Sequence, residues 1–286
     1  MPGTGNPTAR RRELGTLLRA HRLARGRTVE EVAAQLLVSP SKISRIETGQ
    51  RGATARDIRD LVALYELGEQ DRQLLTELAL EGKQRAWWQP FNLPYSAYVG
   101  LEADAVTIRD FNLAIVPGLL QTERYARAMI QTMYPRRTDD AVDQQVLARR
   151  ERQERVLLSG AGPDFTAIID EAALRRQVGG AEVMAEQLKS LQESAIRQTV
   201  KLKVIPFSAG ALSVGTNKFI ILGFDRPSMP DLVYLESLTG ELMLDTEREV
   251  REYAEAFHAL SDAALPPAET VELIAALERD FRRSMT

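Results

Sequence analysis

The chain has 286 residues, 44% of them hydrophobic and 27% charged, an ordinary globular composition with room for two domains. It holds no cysteine and only two histidines, His21 and His258, which excludes disulfides, thiolate metal sites and cysteine nucleophiles, so no metal and no cofactor is expected. There is no apolar run of membrane-spanning length and no apolar stretch near residue 1, so neither a membrane span nor secretion is expected and residence is read as cytoplasmic. The net charge of −3 is unevenly spread: residues 1–59 carry 12 Lys and Arg against 5 Asp and Glu, and the remainder 25 against 35. A basic head on an acidic body is the electrostatic footprint of a chain whose head meets phosphates.

Residues 1–9 show no periodicity and are expected to form a disordered arm. Leu14, Leu17, Leu18 and Leu23 predict a first helix over about Arg11 to Arg25, stopped by Gly26. Thr28 and Glu31 have the spacing of a capping box and start a second helix with Val32, Ala33 and Leu36 inward. Ser39 caps a third. Pro40 takes its first position, where a missing N–H costs nothing, Ile43 and Ile46 face inward, and Gly49 ends it. Thr54 caps a fourth with Ile58, Leu61, Val62 and Tyr65 at helical spacing, and a fifth runs from about Glu69 to Gly82. These five helices, residues 10–82, suffice for one small core. Residues 83–98, with Trp87, Trp88 and Pro94, are read as a linker and docking segment.

Residues 99–286 are read as a larger α+β regulatory and dimerisation domain. Val99 to Asn112 is taken as a helix, Val116-Pro117-Gly118 as a turn, and Leu119 to Met133 and Thr138 to Leu158 as helices, the last with alternating charges. After a loop at Gly160-Ala161-Gly162-Pro163, a strand is predicted at Phe165 to Ile169 and a helix at Ala181 to Gln198. Val200 to Val204 alternates like a strand with one wet face. Further strands follow at Lys218 to Phe224, Leu232 to Glu236 and Leu242 to Leu244, with a turn at Thr239-Gly240. The short connections predict a small, mostly antiparallel sheet. Helices over Thr246 to Leu260 and Glu269 to Arg283 close the chain.

The stretch Thr28 to Gly49 organises the functional reading. Two short helices joined by a tight turn, the second presenting polar side chains outward, form either an ordinary helical hairpin with a solvated face or a reader of duplex DNA. On the second reading Pro40, Ser41, Ser44 and Arg45 face bases. Arg45 suits a bidentate contact to guanine and Pro40 a thymine methyl. Arg27, Thr28, Lys42, Thr48 and Arg51 are placed to grip phosphates and set register. One such unit covers about half a site, so two related by a twofold axis roughly 34 Å apart are expected, hence a homodimer on double-stranded DNA.

The residues Val32-Ala33, Leu36, Val38-Ser39, Ile43-Ser44, Ile46-Glu47 and Gly49, with Leu14, Leu18 and Arg22 before them, resemble the Xre and lambda-repressor type helix-turn-helix family. Val29 stands where that family often has glutamine, Leu37 where glycine usually makes the turn, and Arg27 where an apolar residue is common. Trp87-Trp88, Tyr98 to Glu102, Val116 to Glu123, Asp170 to Arg175, Ile205 to Gly210 and Tyr234 to Gly240 resemble the carboxy-terminal domain of WhiJ-like regulators of actinobacteria. The two resemblances imply a transcription regulator, nucleoid-associated when bound to DNA. It would be a repressor or antitoxin-like protein, controlled by a small partner protein encoded nearby.

No nucleophile elbow, zinc-protease motif or phosphate-binding glycine loop occurs, so no catalytic residue is assigned and the chain is not read as an enzyme. The part beyond the predicted helix-turn-helix domain is larger than DNA binding requires. Trp87, Trp88, Tyr98, Phe207 and Glu236 are the candidates for a partner surface or, alternatively, for a pocket that senses a small-molecule ligand. Core packing competes with both roles at each aromatic residue.

Overall fold

A computed structural model describes residues 6–91, 93, 95–157, 162–196, 200–211, 217–237 and 240–285. The chain divides into two compact units, Met1–Asp104 with Asp225–Pro230, and Ala105–Phe224 with Asp231–Thr286. No helix among the described residues is long and apolar enough to cross a membrane.

The first unit is helical. It comprises α1 (Pro7–Ala24), α2 (Val29–Gln35), α3 (Pro40–Glu47), α4 (Ala55–Leu64), α5 (Glu69–Glu81) and α6 (Ser96–Glu102). Leu14, Leu18, Val32, Ala33, Ile43, Ile46, Ile58, Leu61, Tyr65, Leu75 and Leu78 form one core, as their 3.6-residue periodicity requires. Leu23, read as inward, is 57% exposed. Of the expected disordered arm, residues 1–5 lie outside the described residues and residues 6–9 are ordered. Asn6 caps α1 by accepting from the Thr8 and Ala9 N–H groups, and Pro7 stands at the first helical position, so residues 6–9 are helical or capping. Asn6-Pro7 thus opens α1 as Ser39-Pro40 opens α3, with a capping side chain followed by proline at the first helical position.

Residues 83–98 are likewise not a linker. Ala86, Trp88, Leu93 and Tyr98 are buried within the first unit. The α6 helix packs on α1: the Asn6 side chain donates to the Gly100 carbonyl, and a Cβ on Gly100 would stand 2.6 Å from Thr8 Cβ. Residues 225–230 join this unit through Ser228, which donates to Glu13 at 2.6 Å, and Arg226, which pairs with Asp104 at 2.8 Å.

The second unit is α+β, built on a six-stranded sheet of order β3-β2-β1-β4-β5-β6. Its strands are β1 (Thr107–Asn112), β2 (Asp164–Asp170), β3 (Lys201–Ile205), β4 (Phe219–Gly223), β5 (Leu232–Ser237) and β6 (Gly240–Leu244). The sheet is mostly antiparallel as expected, at β1-β4, β4-β5 and β5-β6, while β1-β2 and β2-β3 are parallel. Parallel neighbours need long crossovers. Here α7 (Glu123–Met133) and α8 (Asp139–Leu157) supply one, α9 (Glu171–Arg175) and α10 (Ala181–Ile196) the other.

β1 lies inside the span read as a helix. Its Asp110 and Asn112 are buried beside Ile108 and Phe111, so the apolar pattern that announces a buried strand is broken. One sheet face packs Phe111, Ile168, Phe219, Ile221 and Val233 against Phe257 and Leu260 of α11 (Glu247–Ala263), and α12 (Pro267–Arg283) packs along α10. The loop read at 160–163 and the turn at Thr239 fall wholly or partly outside the described residues.

Tyr65 is fully buried and its hydroxyl has no hydrogen-bond partner among the described residues. Burial first, then the charge of Glu47, pushes its phenol up to about 12 from 10.0. Above pH 10 the unfolded chain releases this proton and the folded chain keeps it, so stability declines as pH rises through that window and is untouched below it. Tyr65→Phe removes an unsatisfied polar group, and urea unfolding at pH 8 is expected to show a gain of about 1 kcal/mol. The loss on going to pH 11 should be shallower than in the parent. A less stable variant at pH 8 would show that the hydroxyl has a stabilising partner.

Candidate nucleic-acid interface

The α2–turn–α3 segment is held at both ends by local chemistry. Thr28 Oγ1 accepts from the Glu31 N–H at 3.1 Å while Glu31 accepts from the Thr28 N–H at 2.8 Å, the reciprocal cap expected from the spacing. α2 ends with Leu37 in the left-handed region (φ 53°) and with the Val38 N–H donating to the Ala33 carbonyl at 2.9 Å. The turn where glycine was the expected residue therefore keeps its left-handed geometry with a leucine, at a strain of roughly 1–2 kcal/mol. The Leu37 side chain, 93% exposed, recovers no burial.

Ser39 accepts from the Lys42 N–H at 3.2 Å and Pro40 opens α3. Ile43 and Ile46 are buried in the core. At its far end α3 meets α1 backbone to backbone, for a Cβ on Gly15 would lie 2.4 Å from the Glu47 carbonyl oxygen. There the Arg22 guanidinium donates to both Glu47 carboxylate oxygens, at 2.7 and 2.8 Å, and to the Arg27 carbonyl at 2.8 Å. Both side chains are buried. The Glu47 hydrogen bond is the main reason the Arg22 guanidinium holds its proton more tightly than usual.

With its inner side fixed in this way, α3 leaves Pro40, Ser41, Ser44 and Arg45 exposed, all four side chains expected to face bases. Among the described residues, Arg45 and Arg51, both exposed, have no ion-pair partner.

The side chains expected to grip phosphate divide. Lys42 is not a free cation: its ammonium pairs with Asp57 of α4, whose carboxylate also accepts from the Thr54 N–H at 2.9 Å. Burial pushes the Asp57 carboxyl up, but its hydrogen bonds to Lys42 and Thr54 prevail and hold it below its usual range. The capping box at Thr54 places that carboxylate where Lys42 reaches it. Arg27 is engaged with the Gln35 amide, and Thr48 donates to the Ser44 carbonyl at 3.0 Å. Thr28 is exposed, with its N–H and one hydroxyl lone pair held by the cap. Arg51 is exposed, its own N–H bound to the Arg45 carbonyl at 2.8 Å.

The five candidates for a partner or ligand surface divide between the two units. Trp88 and Tyr98 are interior residues of the first unit, each 4% exposed, with the Tyr98 hydroxyl on buried Glu102. Trp87 is partly buried in edge contact with Trp88 at 5.6 Å. Phe207, 58% exposed under the Arg175 guanidinium, and Glu236, paired with Lys218, belong to the second unit.

The Arg22–Glu47 clamp was not assigned a role from sequence, although a charge on the Leu14–Leu18 stripe, at Arg22, is its signature. Arg22→Ala leaves a buried carboxylate unpaired and is expected to cost about 3–5 kcal/mol in urea unfolding. The double change Arg22→Met with Glu47→Leu should recover most of that loss. A double variant as unstable as the single one would show that the apolar pair cannot replace the clamp.

Among the described residues, no group of three or more His, Asp or Glu side chains is placed to hold a metal ion. In comparison with known families, residues 13–75 match the helix-turn-helix domain, which supports a DNA-binding regulator, and residues 95–276 match the Domain of unknown function (DUF5753). No curated protein and no solved structure matches the chain. Since the second of these matches spans well over half of the sequence, the chain belongs to the DUF5753 family, carried here behind an amino-terminal helix-turn-helix domain.

Proposed function

We propose that the protein is a sequence-specific transcription regulator of the Xre type that binds duplex DNA as a homodimer and represses its own or neighbouring promoters. The observation that carries this reading is the face of α3. Pro40, Ser41, Ser44 and Arg45 all project to solvent from a helix whose opposite side is anchored by Ile43, Ile46 and Glu47. In a major groove each base pair offers a distinct pattern of donors and acceptors. The unpaired Arg45 fork suits guanine, Ser41 and Ser44 bond base or phosphate, and Pro40 contacts a thymine methyl. Arg51 holds the backbone, with Thr28 through its hydroxyl proton. Lys42, Arg27 and Thr48 act on phosphate only by exchanging the partners they have.

The WhiJ-like motifs of the second unit support a role in dimerisation and in control by a small partner protein encoded nearby, as in an antitoxin-like pair. Such a protein resides in the cytoplasm, on the nucleoid when bound.

Arg45→Ala is expected to weaken binding to the preferred site by about 1–3 kcal/mol and to relax preference at one base position. Lys42→Ala, whose charge Asp57 already neutralises, should change the slope of affinity against salt by less than the roughly one unit of a free phosphate contact. Mobility shifts of the full chain on its own upstream DNA, over a series of salt concentrations, read both. An unaltered base preference in Arg45→Ala would remove that residue from the reading face, and no shift by the parent would remove the function.

A further inference from the structure

The first unit contains a cavity of about 360 Å³ that the proposed DNA face does not use, lined by Thr8, Arg11, Gln50, Trp88, Gln89 and Ala97 among others. Its volume lies in the range that holds small organic ligands, about 300–1,000 Å³.

Arg11 sets its chemistry. The side-chain stem runs in the room that Gly82 leaves, for a Cβ there would stand 2.8 Å from Arg11 Cγ, and it passes Gly52 at ordinary contact distance. Its Nε donates to the Pro7 carbonyl at 3.1 Å. Neighbouring Arg10 pairs with Glu13 at 2.9 Å and Glu81 at 2.6 Å, whereas no carboxylate among the described residues pairs with Arg11. Burial without a counter-charge pushes its pKa down, a penalty that a bound anion relieves.

The remaining walls define what else the anion must carry. Trp88 presents only a small apolar edge, being 4% exposed, and Ala97 is apolar, while Gln50, Gln89 and the Thr8 hydroxyl offer neutral hydrogen-bond donors. A guanidinium fork matches a carboxylate in two parallel hydrogen bonds, and an indole edge favours a flat apolar body. We propose that this cavity binds a small aromatic carboxylate, with the carboxylate on Arg11 and the ring against Trp88.

The chain's two tryptophans serve as the reporter, because Trp88 lines the cavity and Trp87 lies against Trp88. Benzoate titrated into the full chain is expected to change tryptophan emission saturably, with a matching midpoint by calorimetry. Benzamide, the neutral isostere, should bind at least about tenfold more weakly, as should benzoate to Arg11→Met, in line with the loss of a charge-assisted hydrogen bond. Ala97→Phe keeps Arg11 and fills the space, so it should abolish binding and provides the test if Arg11→Met fails to fold. The proposal is overturned by a parent that shows no saturable response to millimolar benzoate, by equal binding of benzamide, or by parental affinity in either folded variant. It is overturned equally if Arg11→Met loses affinity for duplex DNA while the parent ignores benzoate, which would assign the guanidinium to a DNA phosphate.

Discussion

The contact between Arg22 and Glu47 constrains the amino-terminal unit in a way that apolar contacts do not. Hydrophobic burial is non-directional, so Ile43 and Ile46 alone would hold α3 on the core while leaving its rotation and slide loosely defined. A bidentate pair with both side chains buried, its third donor bound to the Arg27 carbonyl, is satisfied in one arrangement only. The backbone approach at Gly15 fixes the distance between the same two helices. A buried ion pair is weak evidence for stability. Its consequence here is positional: with Glu47 turned inward, Ser41, Ser44 and Arg45 are obliged to face outward.

The electrostatics of the outward face of α3 follow from capping. Thr54 and Asp57 close the start of α4, and the same carboxylate neutralises Lys42. The basic excess of the first 59 residues is thus partly answered internally, while exposed Arg45 and Arg51 have no ion-pair partner among the described residues. Helix ends set the path between these elements. The residues that follow α1, α2, α3 and α4 at their left-handed stops are Gly26, Leu37, Gly49 and Glu66. Two of the four carry side chains at a conformation that glycine adopts freely, so the connections are dictated by the packing of the helices rather than by turn residues.

What was legible in the sequence was local. Capping boxes at Thr28/Glu31 and Thr54/Asp57, and the Ser39-Pro40 start, are complete within a few residues, and α2 to α5 emerge close to their predicted bounds. Partnerships across the chain were not. The parallel pairing of β1 with β2 joins strands separated by two helices. Lys42 could not be known to meet Asp57, nor Trp88 and Tyr98 to be interior. β1 was hidden by Asp110 and Asn112, polar residues in a buried strand. Gln187, fully buried, holds the start of α7 through the Thr122 N–H and the Leu120 carbonyl, both at 2.7 Å, and nothing in its neighbourhood of α10 marks it. For the candidate interface, exposure of Pro40, Ser41, Ser44 and Arg45 followed from helical periodicity alone, whereas the availability of each cation depended on its partner in space.

The central claim is that the outward face of α3 lies against DNA, and photo-crosslinking from within that face tests it most directly. Arg45→p-benzoylphenylalanine and, as a control, the same replacement at Leu74, 43% exposed on α5, are irradiated in the full chain bound to its own upstream duplex. The account predicts covalent attachment of DNA from position 45 and little from position 74. Equal yields from both, or attachment from position 74 alone, would contradict it.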